Sequence, residues 1–361
     1  MAVKKKKKST KKTSSTSKSI TTSKSSTSQK ALISKDFFGN GIEIDTDKVF
    51  PMLVMATMSS GKSTLINALL GEQILPSSNE ACTAKMYSIL DDDQNMVPQI
   101  FITKSNGELD VREEEIAAAL VEANEDDQVE QIFIKSHVKG VLNTDKALLI
   151  IDTPGPNNAR NLSHEKVMES VLEKVYGGLV LYVMNATQFG INDDKILLQV
   201  LKKHIKNQPN TRVLFVINKV DQIDVERESI DQLILTAYDY LNNNGFSNPE
   251  IIPVSALGAS LFKKVLNGET LTRSEYRAFL QFYDLYKPLD FNMKSYAITE
   301  DYDNQFSEVS IKDVKYKLRD IIRAIENTGI MLLEDNIQKA QILSSGQLKN
   351  IIRGEHKGGK V

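Results

Sequence analysis

The stretch Ala56-Thr57-Met58-Ser59-Ser60-Gly61-Lys62-Ser63, followed by Thr64, decides how the rest of the chain is read. It differs from the phosphate-binding pattern G-x-x-x-x-G-K-S/T only in carrying Ala56 for the first glycine. An apolar run from Phe50 leads into it, and an apolar helical pattern, Leu65 to Leu70, leads out. Strand, turn and helix in that order would wrap the N–H groups of Ser59 to Ser63 around an anion at the positive end of the helix. Gly61 then permits close approach of the phosphates, Lys62 reaches the outer ones, and the Ser63 hydroxyl ligates magnesium. Ser60 and Thr64 complete the cradle. Alone, the pattern does not separate a guanine from an adenine nucleotide.

Three later motifs, each at the end of an apolar strand pattern, extend the reading. Leu148-Leu149-Ile150-Ile151 runs into Asp152-Thr153-Pro154-Gly155. Asp152 is placed to hold magnesium through water, and the Gly155 N–H to report whether a terminal phosphate is present. Val213-Leu214-Phe215-Val216-Ile217 runs into Asn218-Lys219-Val220-Asp221. A carboxylate at Asp221 accepts from the ring N–H and the exocyclic amine of guanine together, a donor pair that adenine lacks. Lys219 packs its stem along the base, and Asn218 ties this loop to the phosphate loop. In Pro253-Val254-Ser255-Ala256-Leu257 the Ala256 N–H is expected to face the guanine carbonyl, beside Ser255. Between the first two motifs Thr83 lies 21 residues after Lys62, a loop threonine to which only the resemblance described below gives a place in the magnesium shell.

Short apolar runs alternating with helical patterns predict a mostly parallel sheet wrapped by helices. The expected strands are 50–56, 99–103, 132–138, 147–152, 178–185, 212–218 and 251–255. An amphipathic helix is expected over 192–206, its apolar face formed by Ile196, Leu197, Val200, Leu201 and Ile205, with His204 at the border. Residues 91–146 read as an insert with a helix near 112–124, and Asp91, Asp92 and Asp93 as a solvated turn. Val314, Leu318, Ile321, Ile322 and Ile325 form one C-terminal stripe, with Gly329 as its stop, and Ile330, Leu333 and Ile337 form a second.

Composition narrows the class. The hydrophobic fraction of 41% suits a globular chain, and no apolar run approaches the roughly 18 residues needed to span a bilayer. One cysteine, Cys82, excludes an internal disulfide and fits a reducing, cytoplasmic setting. Residues 1–30 hold ten lysines and no acid, so an overall charge of −2 leaves −12 on the remainder. The expected divisions are a disordered Lys/Ser/Thr tail at 1–35, a nucleotide-binding domain at 36–328, and a helical extension with a frayed end at 329–361. The tail reads either as a solvated extension or as a polybasic contact for nucleic acid or anionic membrane.

The segment from Ser59 to Thr83, including Gly61-Lys62-Ser63-Thr64-Leu65-Ile66-Asn67-Ala68-Leu69-Leu70-Gly71 and Leu75-Pro76, resembles the GTPase domain of bacterial dynamin-like proteins. So do Asp152-Thr153-Pro154-Gly155-Pro156-Asn157-Asn158 and Asn218-Lys219-Val220-Asp221. The likeness covers about residues 45–345 and is closest to the subgroup linked to the replication clamp. It implies a three-layer α/β P-loop GTPase fold with C-terminal helices. It also implies hydrolysis of GTP to GDP with Mg2+, stimulated when GTPase domains pair, either as a nucleotide-dependent homodimer or with a partner dynamin-like chain. By the resemblance Thr83 is the switch threonine, and Ser59 helps hold a monovalent cation, K+ or Na+. Eukaryotic members carry a catalytic glutamine where this chain has Met58. Arg160 reads either as a charge supplied in trans or as a surface arginine. Full dynamin-like proteins continue into stalk helices and a membrane-binding tip, so remodelling of membranes by this chain alone is not expected. Two other functions stay open: an interaction module with little hydrolysis, and a ribosome-assembly GTPase that binds RNA through the basic tail.

Overall fold

A computed structural model of the chain describes residues 31–38, 41–57, 59–76, 85–94, 97–114, 116–141, 145–153, 162–188, 190, 192–224, 229–288, 293, 308–311 and 314–345. Of these, 162–167, 192–193, 308–311, 314–319 and 345 are described by their backbone alone. Residues 1–30, Met58, Cys82, Thr83, Gly155 and Arg160 lie outside the described residues.

The run from Val49 to Ala56 is buried at every position, as a strand covered on both faces requires. This strand, β1 (Val49–Ala56), sits inside a nine-stranded sheet. The others are β2 (Met86–Asp91), β3 (Gln99–Lys104), β4 (Leu109–Arg112), β5 (Val129–Ser136), β6 (Ala147–Asp152), β7 (Gly178–Asn185), β8 (Thr211–Asn218) and β9 (Ile251–Val254). Their order is β4-β3-β5-β2-β6-β1-β7-β8-β9. β6, β1, β7, β8 and β9 form one parallel block. β2 runs antiparallel to β6 and parallel to β5, while β3 is antiparallel to both β5 and β4.

Alternate residues of β1 serve the two faces, as the period of two in a strand demands. Phe50, Met52, Val54 and Ala56 pack with Leu65, Ile66 and Leu69 of α1 (Lys62–Leu70). Phe262 of α6 (Ala256–Leu266), Phe279 of α7 (Arg273–Tyr286), Ile321 of α8 (Leu318–Asn327) and Leu333 of α9 (Ile330–Ser345) join the same core, as does Leu120 of α2 (Ile116–Glu125). Val49, Leu53 and Met55 face the other way. They meet Met168 and Val171 of α3 (Leu162–Lys174), Leu197 and Leu201 of α4 (Asn192–Asn207) and Leu241 of α5 (Ile230–Asn243). The result is helix, sheet, helix, the expected three layers. A hairpin, β10 (Glu308–Ile311) with β11 (Val314–Lys317), precedes α8.

Several details differ from the sequence reading. Residues 31–35 pack on the body rather than joining the tail: Ile33 is buried and bridged to Val175, and the Tyr176 N–H donates to the Leu32 carbonyl at 2.7 Å. Leu32 and Ile33 supply apolar surface that residues 1–30 almost wholly lack. The second stripe is not a separate extension, since Ile330, Leu333 and Ile337 are buried in the main core. Val314 lies in β11, so α8 starts later than its stripe suggested. Arg112 ends β4, and the helix of the insert begins at Ile116. In α4, Ile196 is exposed while Leu198 and His204 are buried, which turns the apolar face by about one position. Burial lowers the His204 pKa and keeps the ring neutral.

The triple acid is the largest correction. Asp91 is the last residue of β2, an element the sequence reading missed, and its side chain is buried. It accepts from the Val138 N–H at 2.9 Å, and His137 Nδ1 stands 3.3 Å away. Burial pushes its carboxyl up to about 6, opposed by these two contacts. A raised carboxyl pKa means that the fold prefers the protonated form. The contribution of Asp91 to stability is therefore greatest below the ordinary value of 3.8 and is lost as pH rises through about 6. Urea unfolding between pH 4 and 7 should show this fall, and Asp91→Asn should flatten it; an unchanged slope in the variant would remove Asp91 as its source.

Candidate functional site

All four motifs lie at one edge of the parallel block. Val54 is in register with Asp152, Asn185 with Asn218, and Asn218 with Val254, so the loops after β1, β6, β8 and β9 emerge side by side. This is the end at which parallel α/β sheets place their ligands.

The phosphate loop is shaped by two left-handed residues, Ser59 at φ 60° and Gly61 at φ 84°. Their curl turns consecutive N–H groups inward before α1 begins at Lys62. Ser60 is buried; its hydroxyl donates to the Thr57 carbonyl at 2.8 Å and braces the curve from inside. Gly61 is needed for space as well as for φ, because a Cβ there would lie 2.5 Å from Asn218 Nδ2. Ser63 and Thr64 stand in the first turn of α1, half-buried, at the positive end of the helix.

Lys62 pairs with Asp152, and both side chains are nearly inaccessible to water. Burial drives the Asp152 carboxyl up, and the Lys62 ammonium opposes it. Among the described residues only Oδ1 of Asp152 is engaged, and the buried Oδ2 meets no hydrogen-bond donor. A buried carboxylate oxygen left free beside the start of α1 suits a hard cation that keeps most of its waters. The residues present therefore fit magnesium, with Ser63 as a direct ligand and Asp152 acting through water. Among the described residues no cluster of three His, Cys, Asp or Glu forms a separate metal cage. Thr153 fixes the strand end by donating its hydroxyl to the Val54 carbonyl at 2.9 Å.

The base loop is built on Asn218. Its carbonyl accepts from the Ala186 N–H at 2.8 Å, which anchors the loop to the end of β7. Its Nδ2 donates to the Ser60 carbonyl at 2.8 Å, and its Oδ1 accepts from the Ala256 N–H at 3.1 Å. One amide thus joins the phosphate loop, the base loop and the start of α6. The Ala256 N–H, expected to face a guanine carbonyl, donates to this amide, beside the Ser255 cap of α6. Lys219 adopts φ 66°, and its stem passes over Gly61. Asp221 is raised in pKa by burial and drawn back by a hydrogen bond from Ser255. The Ser255 hydroxyl also accepts from the Gly258 N–H at 3.2 Å.

Sequence reasoning gave no role to Asn67. Its Nδ2 donates to the Leu75 carbonyl at 2.8 Å, and its Oδ1 accepts from the N–H groups of Ile74 and Leu75. It thereby holds the chain leaving α1 toward Thr83. The signal was present: an amide within the apolar run Leu65 to Leu70 must be satisfied internally once buried.

A curled phosphate loop joined by an asparagine amide to a loop carrying a half-buried carboxylate defines a P-loop GTPase domain. Residues 52–220 match the profile of the Dynamin family. A bacterial dynamin-like protein of Nostoc punctiforme is 28% identical over 190 residues, which is 50% of this chain and 26% of that protein. The GTPase Era of Trichlorobacter lovleyi is 25% identical over 132 residues, 36% of this chain and 40% of that protein. The chain thus spans well under half the length of either relative. A solved bacterial dynamin pair, described as sensing and tethering membranes, aligns with 85% of this chain and 43% of its own at 19% identity and a TM-score of 0.46. No helix among the described residues is long and apolar enough to cross a membrane.

Removing the joining amide with Asn218→Ala should leave the Ser60 carbonyl and the Ala256 N–H without their partner. Nucleotide affinity is expected to fall at least roughly tenfold, the worth of one hydrogen bond to a buried polar group. Calorimetric titration with GDP checks this; affinity within a factor of two of wild type would contradict the bridge.

Proposed function

We propose that this chain binds GTP with Mg2+ and hydrolyses it to GDP and phosphate, and that pairing of GTPase domains raises the rate. The observation that carries the reading is the Asn218 bridge, which holds the Asp221 loop at a set distance from the phosphate loop. A carboxylate there selects guanine through two donors, while the curled N–H groups of residues 59–63 receive the phosphates.

The chemistry asked of the protein is positioning and charge neutralisation. Lys62 and the N–H groups of the phosphate loop stabilise negative charge that builds on the leaving diphosphate. Magnesium, when bound by Ser63 and Thr83 and through water by Asp152, supplies positive charge to the same oxygens. Thr83 also orients the attacking water through its backbone, and Gly155 donates to the terminal phosphate. The water oxygen forms the new bond to phosphorus, the bond to the diphosphate breaks, and the water proton leaves with inorganic phosphate. Ser59, exposed at the rim of the loop, is the residue assigned to a monovalent cation beside the leaving group.

Met58 supports a second reading, because a thioether does not orient water as an amide would. In that reading the chain is a nucleotide-dependent interaction module with little hydrolysis. GTP turnover per site, measured against protein concentration in potassium and in sodium, separates the two. A steep rise with concentration, larger in potassium, is expected; turnover near zero at every concentration would favour the module. Thr83→Ala should lower turnover by at least about a hundredfold, the scale of one positioning group, with GDP affinity changed far less. Unchanged turnover would remove Thr83 from the mechanism.

A further inference from the structure

The guanine site depends on how the Asp221 carboxylate is aimed, and the group that aims it is Ser255. The Ser255 hydroxyl gives its one proton to Asp221 and accepts from the Gly258 N–H. The question is then what fixes Ser255, and the answer lies about seventy residues later in the chain. The Ser255 N–H donates to the Thr328 carbonyl at 2.9 Å.

Thr328 follows the last residue of α8 and is fully buried, its own hydroxyl donating to the Ile325 carbonyl at 2.6 Å. The next residue, Gly329, holds φ 79°, and a Cβ there would fall well inside contact distance of the Pro253 carbonyl. The turn between α8 and α9 is therefore pressed against β9, the strand that ends just before Ser255. Asn327 ties the end of α7 to the same point by donating Nδ2 to the carbonyls of Tyr286, at 2.6 Å, and Pro288, at 3.2 Å. Tyr286 is buried edge-on against Phe262, and its hydroxyl lies beside Ser255 and Asp221. A serine oxygen has two lone pairs. The Gly258 N–H takes one, and the Tyr286 ring packs close beside the same hydroxyl. Gly258 leaves the room for this: a Cβ there would touch Ser255, Tyr286 and Thr328 together.

From this arrangement we infer that the α8–α9 turn, residues 327–329, together with Tyr286, sets guanine selectivity by fixing Ser255 and through it the aim of Asp221. These are positioning residues, not catalytic ones, and the inference rests on the proposed guanine reading. None of them belongs to a nucleotide-binding motif. Guanine offers Asp221 two donors, whereas hypoxanthine offers only the ring N–H. A carboxylate that wanders loses the second donor first, so faulty positioning penalises guanine more than hypoxanthine. General loosening of the fold would weaken both alike.

The test is competition binding of GDP, IDP and ADP to the full chain, as wild type, Tyr286→Phe and Gly329→Ala, with thermal unfolding in parallel. Tyr286→Phe keeps the ring and removes the hydroxyl, so it carries the test if Gly329→Ala does not fold. Each folded variant is expected to lose roughly tenfold in GDP affinity, about one hydrogen bond to a charged group, while IDP changes less than about threefold. Equal weakening of GDP and IDP, or no change in either, would overturn the inference. A wild type that binds ADP as well as GDP would instead overturn the guanine reading on which it rests.

Discussion

The side-chain amide of Asn218 is the constraint on which the site depends. Its donor end holds the phosphate loop and its acceptor end holds the first N–H of α6. A hydrogen bond of this kind has modest net value at the surface of a protein. Buried here, its loss would strand a carbonyl and an N–H, which costs more than the bond itself contributes. The neighbouring residues are arranged around it: Gly61 makes room for the amide, Ser60 shapes the carbonyl that receives it, and the Ala186 N–H fixes its backbone from the next strand. Two loops more than a hundred residues apart in sequence thereby behave as one receptor for a base and its phosphates.

The sheet makes that arrangement possible, and its layout separates two kinds of work. The parallel block from β6 to β9 presents all four motif loops at one edge. The other flank, β2, β5, β3 and β4, places none of the motif residues. Buried charge follows the same division. At the motif edge Asp152 faces Lys62, leaving one oxygen suited to a metal. At the end of β2, Asp91 meets the Val138 N–H and His137 instead, and burial raises its pKa. Burial raises both carboxyls; a lysine ammonium opposes it at the motif edge, and a backbone N–H with a histidine opposes it at the end of β2.

How much of this was legible in the sequence depends on which atoms make the contact. The strands of the parallel block were readable because they are buried on both faces and so nearly continuous in Val, Ile and Leu. β2 was missed because Met86-Tyr87-Ser88-Ile89-Leu90 mixes polar and apolar residues and ends in acids that resemble a turn. Side-chain roles carried by fixed motifs, such as Asn218 reaching the phosphate loop, could be written down in advance. That the Ala256 N–H donates to the Asn218 amide could not be read from the sequence, since it is a contact of the backbone. The support behind Ser255 was invisible for a related reason. It comes from the backbone carbonyl of Thr328, and a carbonyl leaves no mark in the residue code. Only Gly329, read as a helix stop, hinted that the chain makes a close approach there.

The central claim is that the half-buried carboxylate of Asp221 reads guanine, and its most direct test reverses the hydrogen-bonding sense of that one group. Asp221→Asn presents a side-chain amide, which can donate to the 2-carbonyl of xanthine where the carboxylate accepted from the 2-amine of guanine. Affinities for GDP and XDP should be measured by calorimetry for both proteins. The account expects wild type to bind GDP over XDP and the variant to reverse that order. A variant that keeps the wild-type preference for GDP would contradict it.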